Sequence, residues 1–160
     1  GVAVAEAIES FQLQAGIKWP NDVWITEKKV AGILVEADTD FAIVGIGLNV
    51  NTLDFPEEVA SIATSLRKES FRVLARPDVL AAVIRRFALR RHQIGRDFPY
   101  IVAAVSQRCV LTGQAVSLIT SAGPRCGTVE GITTSGELLL RTTVGLERLI
   151  QADEIRLVTR

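Results

Sequence analysis

The sequence is short of the residues from which many active sites are built. It has one histidine, His92, and two cysteines, Cys109 and Cys126. That supply argues against a metal centre made of His and Cys, and against a Ser-His-Asp or Cys-His catalytic arrangement. The two cysteines fit neither a zinc spacing nor a disulfide framework, so a reducing, cytoplasmic setting is expected. An excess of charge is missing too: 18 Lys+Arg face 18 Asp+Glu. Broad electrostatic binding needs clustered positive charge, so neither nucleic acid nor a membrane is expected as a partner. No apolar run reaches the roughly 18 residues of a membrane span. The opening GVAVAEAIES has no basic segment of the kind that begins a secretory signal.

One further absence concerns the first helix. Val4, Ile8 and Phe11 recur at helical spacing, which predicts an amphipathic helix over 1–13. No Ser, Thr, Asp or Asn precedes it as a cap. The expectation is a chain that starts inside an element, with a frayed, uncapped first helix as the alternative.

What is present is a globular composition, 48% hydrophobic and 22% charged. Ile17-Lys18-Trp19 reads as a short strand ended by Pro20, and Asn21-Asp22 as a turn. Val23–Thr26, Val30–Ala37 and Phe41–Val50 follow as β-prone runs with short polar links, which predicts an antiparallel meander. Residues 51–76 read as irregular, with a short helical piece near Pro56-Glu57-Glu58. A helix is expected over 77–95, with Leu80, Val83, Ile84, Phe87 and Ala88 as its apolar stripe and Arg85, Arg86, Arg90 and Arg91 on a solvated face. A shorter helix covers Tyr100 to about Cys109, and five short β-prone runs from 114 to 158 suggest a small closed barrel.

The meander carries glycines inside its strands, where they weaken pairing unless a bulge or a closely approaching group needs them. Gly45, Gly47 and Asn49 share one strand face, and Val44, Ile46, Leu48 and Val50 share the other. One face is bare and suits the floor of a small-molecule pocket, and the other is an apolar wall suited to helices. Packing alone would equally explain the glycines. The Gly45-x-Gly47 pair lacks the third glycine and helix of a dinucleotide fingerprint. Lys29, read alone, is an exposed turn lysine, and strand parity places it off the face of Gly32, Leu34 and Glu36. Asp22 with Asn21 offers two oxygen ligands for Mg²⁺, a thin set by itself.

Three blocks occur in order: Lys18-Trp19-Pro20-Asn21-Asp22, Lys29-Val30-Ala31-Gly32-Ile33-Leu34-Val35-Glu36 and Gly45-Ile46-Gly47-Leu48-Asn49-Val50-Asn51. Together with Phe55–Glu58 and Ala63–Leu66 they resemble biotin protein ligase, biotin–[acetyl-CoA-carboxylase] ligase. The resemblance implies ATP-dependent attachment of biotin, through biotinyl-5′-AMP, to a lysine of a biotin carboxyl carrier protein. It implies Lys29 as catalytic lysine, Lys29, Gly32, Leu34 and Gly45 around biotin, and Lys18, Asn21, Asp22 and Asn49 around ATP and the adenylate, with Asp22 toward Mg²⁺. ATP, biotin and Mg²⁺ are thus the expected small-molecule partners, and a homodimer is allowed.

The fold expected on this basis is α+β. A partial antiparallel sheet with helices over 1–108 is the C-terminal part of a catalytic domain, and an SH3-like barrel follows over 109–160. The resemblance also implies a Gly-Arg-Gly-Arg-type loop ahead of the first block, which is not in this sequence. The 160 residues are therefore expected to be a fragment, inactive alone. Two alternatives remain: a lipoate ligase-like acyl-adenylate transferase, and a non-catalytic module that binds a partner.

Overall fold

The computed structural model describes residues 1–158. Four antiparallel strands, β1 (Gly16–Lys18), β2 (Asp22–Ile25), β3 (Lys28–Ala37) and β4 (Ala42–Leu48), form one sheet in sequence order. The β2–β3 turn places Thr26 and Glu27 at φ 47° and 64°. That left-handed pair matches the twist of a tight hairpin. Just beyond it the register slips. Val23 pairs with Ala31 but Trp24 pairs with Lys29, so β3 carries one extra residue. The expected faces therefore change on the hairpin side of the slip. Val30 and Ala31, consecutive in sequence, are both buried.

Helix α1 (Val2–Glu9) covers the back of this sheet, shorter than the expected 1–13. Val4, Ala5 and Ile8 pack with Ile17, Val23, Ile25, Val30 and Ala31, and with Val79, Ala82, Val83 and Ala104 from two later helices. Those are α4 (Arg76–Gln93) and α5 (Phe98–Arg108). The stripe expected on α4 is only partly right. The buried residues are Val79, Ala82 and Val83, whereas Leu80, Ile84 and Phe87 stay exposed beside an apolar groove of about 440 Å³ that they share with Val44 and Ile46 of β4. Arg90 also departs from the expected solvated face: it donates to both Glu6 carboxylate oxygens and to Gln93. Arg108 grips Glu9 with two hydrogen bonds of 2.7 and 2.8 Å. Burial would raise the Glu6 carboxyl pKa, but hydrogen bonding and charge from Arg90, with Arg108 and Arg86, bring it below its ordinary value.

In the stretch 51–76 the short helical piece expected near Pro56-Glu57-Glu58 is α2 (Glu57–Ala60), and a second short helix that was not expected, α3 (Leu66–Ser70), follows it. Ser65 caps α3 by accepting from the Lys68 amide, and its own hydroxyl donates to the Thr52 carbonyl at 2.5 Å.

The remaining strands are β5 (Ala115–Thr120), β6 (Gly123–Ile132), β7 (Leu138–Thr142), β8 (Gly145–Leu149) and β9 (Glu154–Leu157). They make an antiparallel sheet in the order β8-β7-β6-β5-β9. Val116, Leu118, Val129, Leu138, Leu140 and Ile155 form a second core. One large member of that core comes from the first sheet's motif: Trp19 is 6% exposed within it, and its indole N–H donates to the Gly136 carbonyl at 3.1 Å. Backbone pairing continues the junction, with the Val110 amide donating to the Ile17 carbonyl. Cys109 and Cys126 are free thiols. No helix among the described residues is long and apolar enough to cross a membrane.

Candidate active-site floor

Cross-strand partners share a face of a sheet. Lys18 pairs with Asp22, Asp22 with Gly32, Gly32 with Gly47, and Leu34 with Gly45. Six separate positions therefore lie on one surface. Lys29 joins them because of the register slip: it pairs with Trp24, which shares the face of Asp22. The parity objection to Lys29 is removed by a bulge, which nothing in the strand's composition announces.

The Lys29 ammonium meets the Asp22 carboxylate at 2.6 Å, with the lysine side chain 47% exposed and the aspartate 18%. Gly32 lies beneath this pair. A Cβ there would sit 3.2 Å from both Cε and Nζ of Lys29. The glycine leaves the channel along which the lysine reaches the carboxylate. Lys18 lies 4.7 Å from the centre of the Trp24 ring, a cation–π contact. Burial lowers its pKa and the charge of Lys29 adds to the effect, while Asp22 and Glu154 oppose it.

Lys18, Asn21, Asp22 and Lys29 line a cleft of about 600 Å³ between the first sheet and β9. Gly32 lies beneath the Lys29–Asp22 pair, but Leu34 and Gly45 are further out on the exposed sheet, with Leu34 62% exposed. Asn49 stands apart: its amide donates to the Thr64 carbonyl at 3.1 Å. The Asn21 carbonyl accepts from the Ile33 amide, which ties the turn to β3. Asp22 is engaged by Lys29, and no cluster of three or more His, Cys, Asp or Glu side chains suited to a metal occurs among the described residues.

Sequence reasoning missed three contributors to this cleft. Trp24 stacks under Lys18, and its buried indole N–H has no acceptor among the described residues. Glu154 and Arg156 of β9 also line the cleft and pair with each other at 2.8 Å. They lie more than 120 residues beyond Lys29. Only the docking of the second sheet, anchored by Trp19, brings them near.

Residues 1–51 match the model of the biotin/lipoate A/B protein ligase family. The chain is 35% identical to the bifunctional ligase/repressor BirA of Bacillus spizizenii, over 95% of this chain and 50% of that protein. It is 32% identical to the biotin–[acetyl-CoA-carboxylase] ligase of Mycobacterium tuberculosis, over 86% of this chain and 52% of the relative. The chain thus spans about half the length of these curated relatives. The biotin protein ligase of Aquifex aeolicus, solved in complex with biotin and ATP, superposes with a TM-score of 0.92 at 31% identity, covering 99% of this chain and 69% of that one. Shared α+β architecture, matching sequence along nearly the whole chain and a glycine-bared face beside the Lys29–Asp22 pair place this chain in the biotin protein ligase family.

Proposed function

We propose that this chain forms the floor of a site that joins biotin to ATP and then passes biotin to a lysine of a biotin carboxyl carrier protein. The observation that carries this reading is Lys29, led by a bulge onto the glycine-bared face and held at Asp22. In the first step a biotin carboxylate oxygen attacks the α-phosphorus of ATP, and the bond to the leaving pyrophosphate breaks. Two anions must approach, and a cation between them offsets the repulsion and the charge gained in the transition state. Lys29 supplies that cation. In the second step the carrier amine attacks the acyl carbon, the bond to AMP breaks, and the amine loses a proton.

Gly32, Leu34 and Gly45 floor the biotin side in this reading. Lys18, Asn21 and Asp22 border the phosphates, and Asn49 stands on the adenine side. Burial is the main reason the Lys18 pKa is lowered, with Lys29 adding to it, and an arriving polyphosphate would favour its charged form. Asp22 is one carboxylate for Mg²⁺, a set that fits this ion when substrate phosphates complete its shell. Residues 1–108 serve as the catalytic part and 109–160, of which 159 and 160 lie outside the described residues, as an SH3-like barrel that walls the cleft through β9. Leu34 and the glycine face are exposed, so an adenylate resting there would meet water. For that reason the 160 residues by themselves should not ligate biotin.

The test is ATP–pyrophosphate exchange by the protein as its gene encodes it. Exchange should depend on biotin and not respond to lipoate. Lipoate-dependent exchange would move the chain to the other branch of the superfamily, and no exchange with either acid would favour a non-catalytic module. One variant probes the floor itself. Gly32→Ala places a methyl against the end of Lys29. The flexible side chain yields, so folding should be little changed, while the adenylation rate should fall about 10-fold because the cation is displaced. A wild-type rate for Gly32→Ala would argue that Lys29 works from another position.

A further inference from the structure

Lys29 has an exposed side chain, yet its backbone is gripped. Its amide donates to the Ile62 carbonyl at 2.8 Å, and its carbonyl accepts from the Thr64 amide at 2.9 Å. This short parallel bridge ties the bulged start of β3 to the segment before α3. Thr64 is the hub of the grip. It is 1% exposed, its carbonyl accepts from the Asn49 side chain at 3.1 Å, and its hydroxyl donates to Glu69 Oε1 at 2.5 Å. The other Glu69 oxygen accepts a longer bond of 3.4 Å from the hydroxyl of Thr26, in the tight turn three residues ahead of Lys29. One carboxylate on α3 therefore joins the two stretches of chain that fix where Lys29 emerges.

We infer that Glu69 is a positioning residue for Lys29, acting through Thr64 and Thr26 without touching substrate. The inference rests on the proposed role of Lys29 and adds what holds it. The Thr26–Glu27 turn and the neighbouring bulge are the irregular parts of the hairpin, where regular strand pairing does not set the backbone. A hydrogen bond to an ionised carboxylate is among the stronger neutral-to-charged contacts available, and Thr64 presents its hydroxyl to one in a buried setting. Its loss would leave the Lys29 segment free to shift. Displacements near 1 Å in a reacting group are enough to slow catalysis markedly.

The experiment uses Glu69→Ala and Glu69→Gln in the protein as its gene encodes it, with biotin-dependent pyrophosphate exchange and amide hydrogen exchange read together. Glu69→Ala should lower kcat about 30-fold with KM for biotin and ATP changed less than about threefold, the pattern of a misplaced reacting group. Amides of 26–30 and 61–65 should exchange about 10-fold faster, while those of β6 and β7 keep their protection. Glu69→Gln keeps one acceptor oxygen and should bring kcat back to within about fivefold of wild type. An unchanged kcat in Glu69→Ala, or a rise in KM alone, overturns the inference. So does a loss of protection spread evenly into β6 and β7, which marks Glu69 as general scaffold. If the wild type shows no biotin-dependent exchange, the functional reading fails instead. The amide data then still decide the mechanical link: faster exchange confined to the two segments sustains it, and unchanged exchange overturns it.

Discussion

In the protein as its gene encodes it, replacing Lys29 with alanine is expected to lower the proposed biotinyl-adenylate formation by about 10³-fold with no measurable loss of thermal stability. The magnitude follows from charge. A unit cation about 4 Å from a developing anion contributes about 4 kcal/mol at the effective dielectric of a protein surface site, and each 1.4 kcal/mol is a factor of ten. Stability should be spared because the Lys29–Asp22 pair is half exposed on the lysine side, and such pairs contribute little. Lys29→Arg keeps the charge but brings a planar, bulkier head into the channel over Gly32, so it should recover only a small part of the rate. Pyrophosphate exchange and thermal melting on the same preparations read both halves. A Lys29→Ala rate within tenfold of wild type would remove the lysine from the chemistry.

The largest effect on folding is expected at Trp19. Truncation to alanine empties a large volume in the second core and leaves the Gly136 carbonyl without its indole donor. Losses for buried aromatic residues run about 3–5 kcal/mol. For a chain of this size that is a fall in melting temperature of about 10 °C or more. Trp19→Phe retains most of the ring and loses the donor, so its cost should be nearer 1 kcal/mol. The consequence reaches the site, because Asp22 follows Trp19 by three residues and the cleft wall formed by β9 belongs to the core that Trp19 anchors. Differential scanning calorimetry of both variants would check this, and equal melting temperatures for wild type and Trp19→Ala would contradict it.

The contrast between these two residues shows what can be read before folding. The alternation of Gly45 and Gly47 with Val44, Ile46 and Leu48 reports a bare face directly, since a strand's period of two is local. The strands themselves were legible for the same reason, each within a few residues of its observed limits. Lys29 was legible only through resemblance, because strand parity pointed it away and the correcting bulge depends on how β2 and β3 pair. Trp19 read as part of a strand end, and its role emerges from a distant core built from Leu111 to Ile155. Within 51–76, α2 was signalled by Pro56-Glu57-Glu58, whereas α3 was missed because five residues are too few for a helical period to show. On α4 only Val83 of the stripe read from the sequence is buried, and the other buried positions, Val79 and Ala82, lie outside that stripe. Glu154 and Arg156 carry no local signal, since their nearness to Lys18 is a product of docking between the two sheets.

A crystal structure of the protein as its gene encodes it, bound to a non-hydrolysable analogue of biotinyl-5′-AMP, would show directly whether Lys29 meets the reacting atoms. The acyl-phosphate linkage should lie within hydrogen-bond reach of the Lys29 ammonium, with the biotin rings over Gly32 and Gly45. An analogue seated in the apolar groove between β4 and α4, or on the sheet with Lys29 still closed onto Asp22 and away from the phosphate, would contradict it.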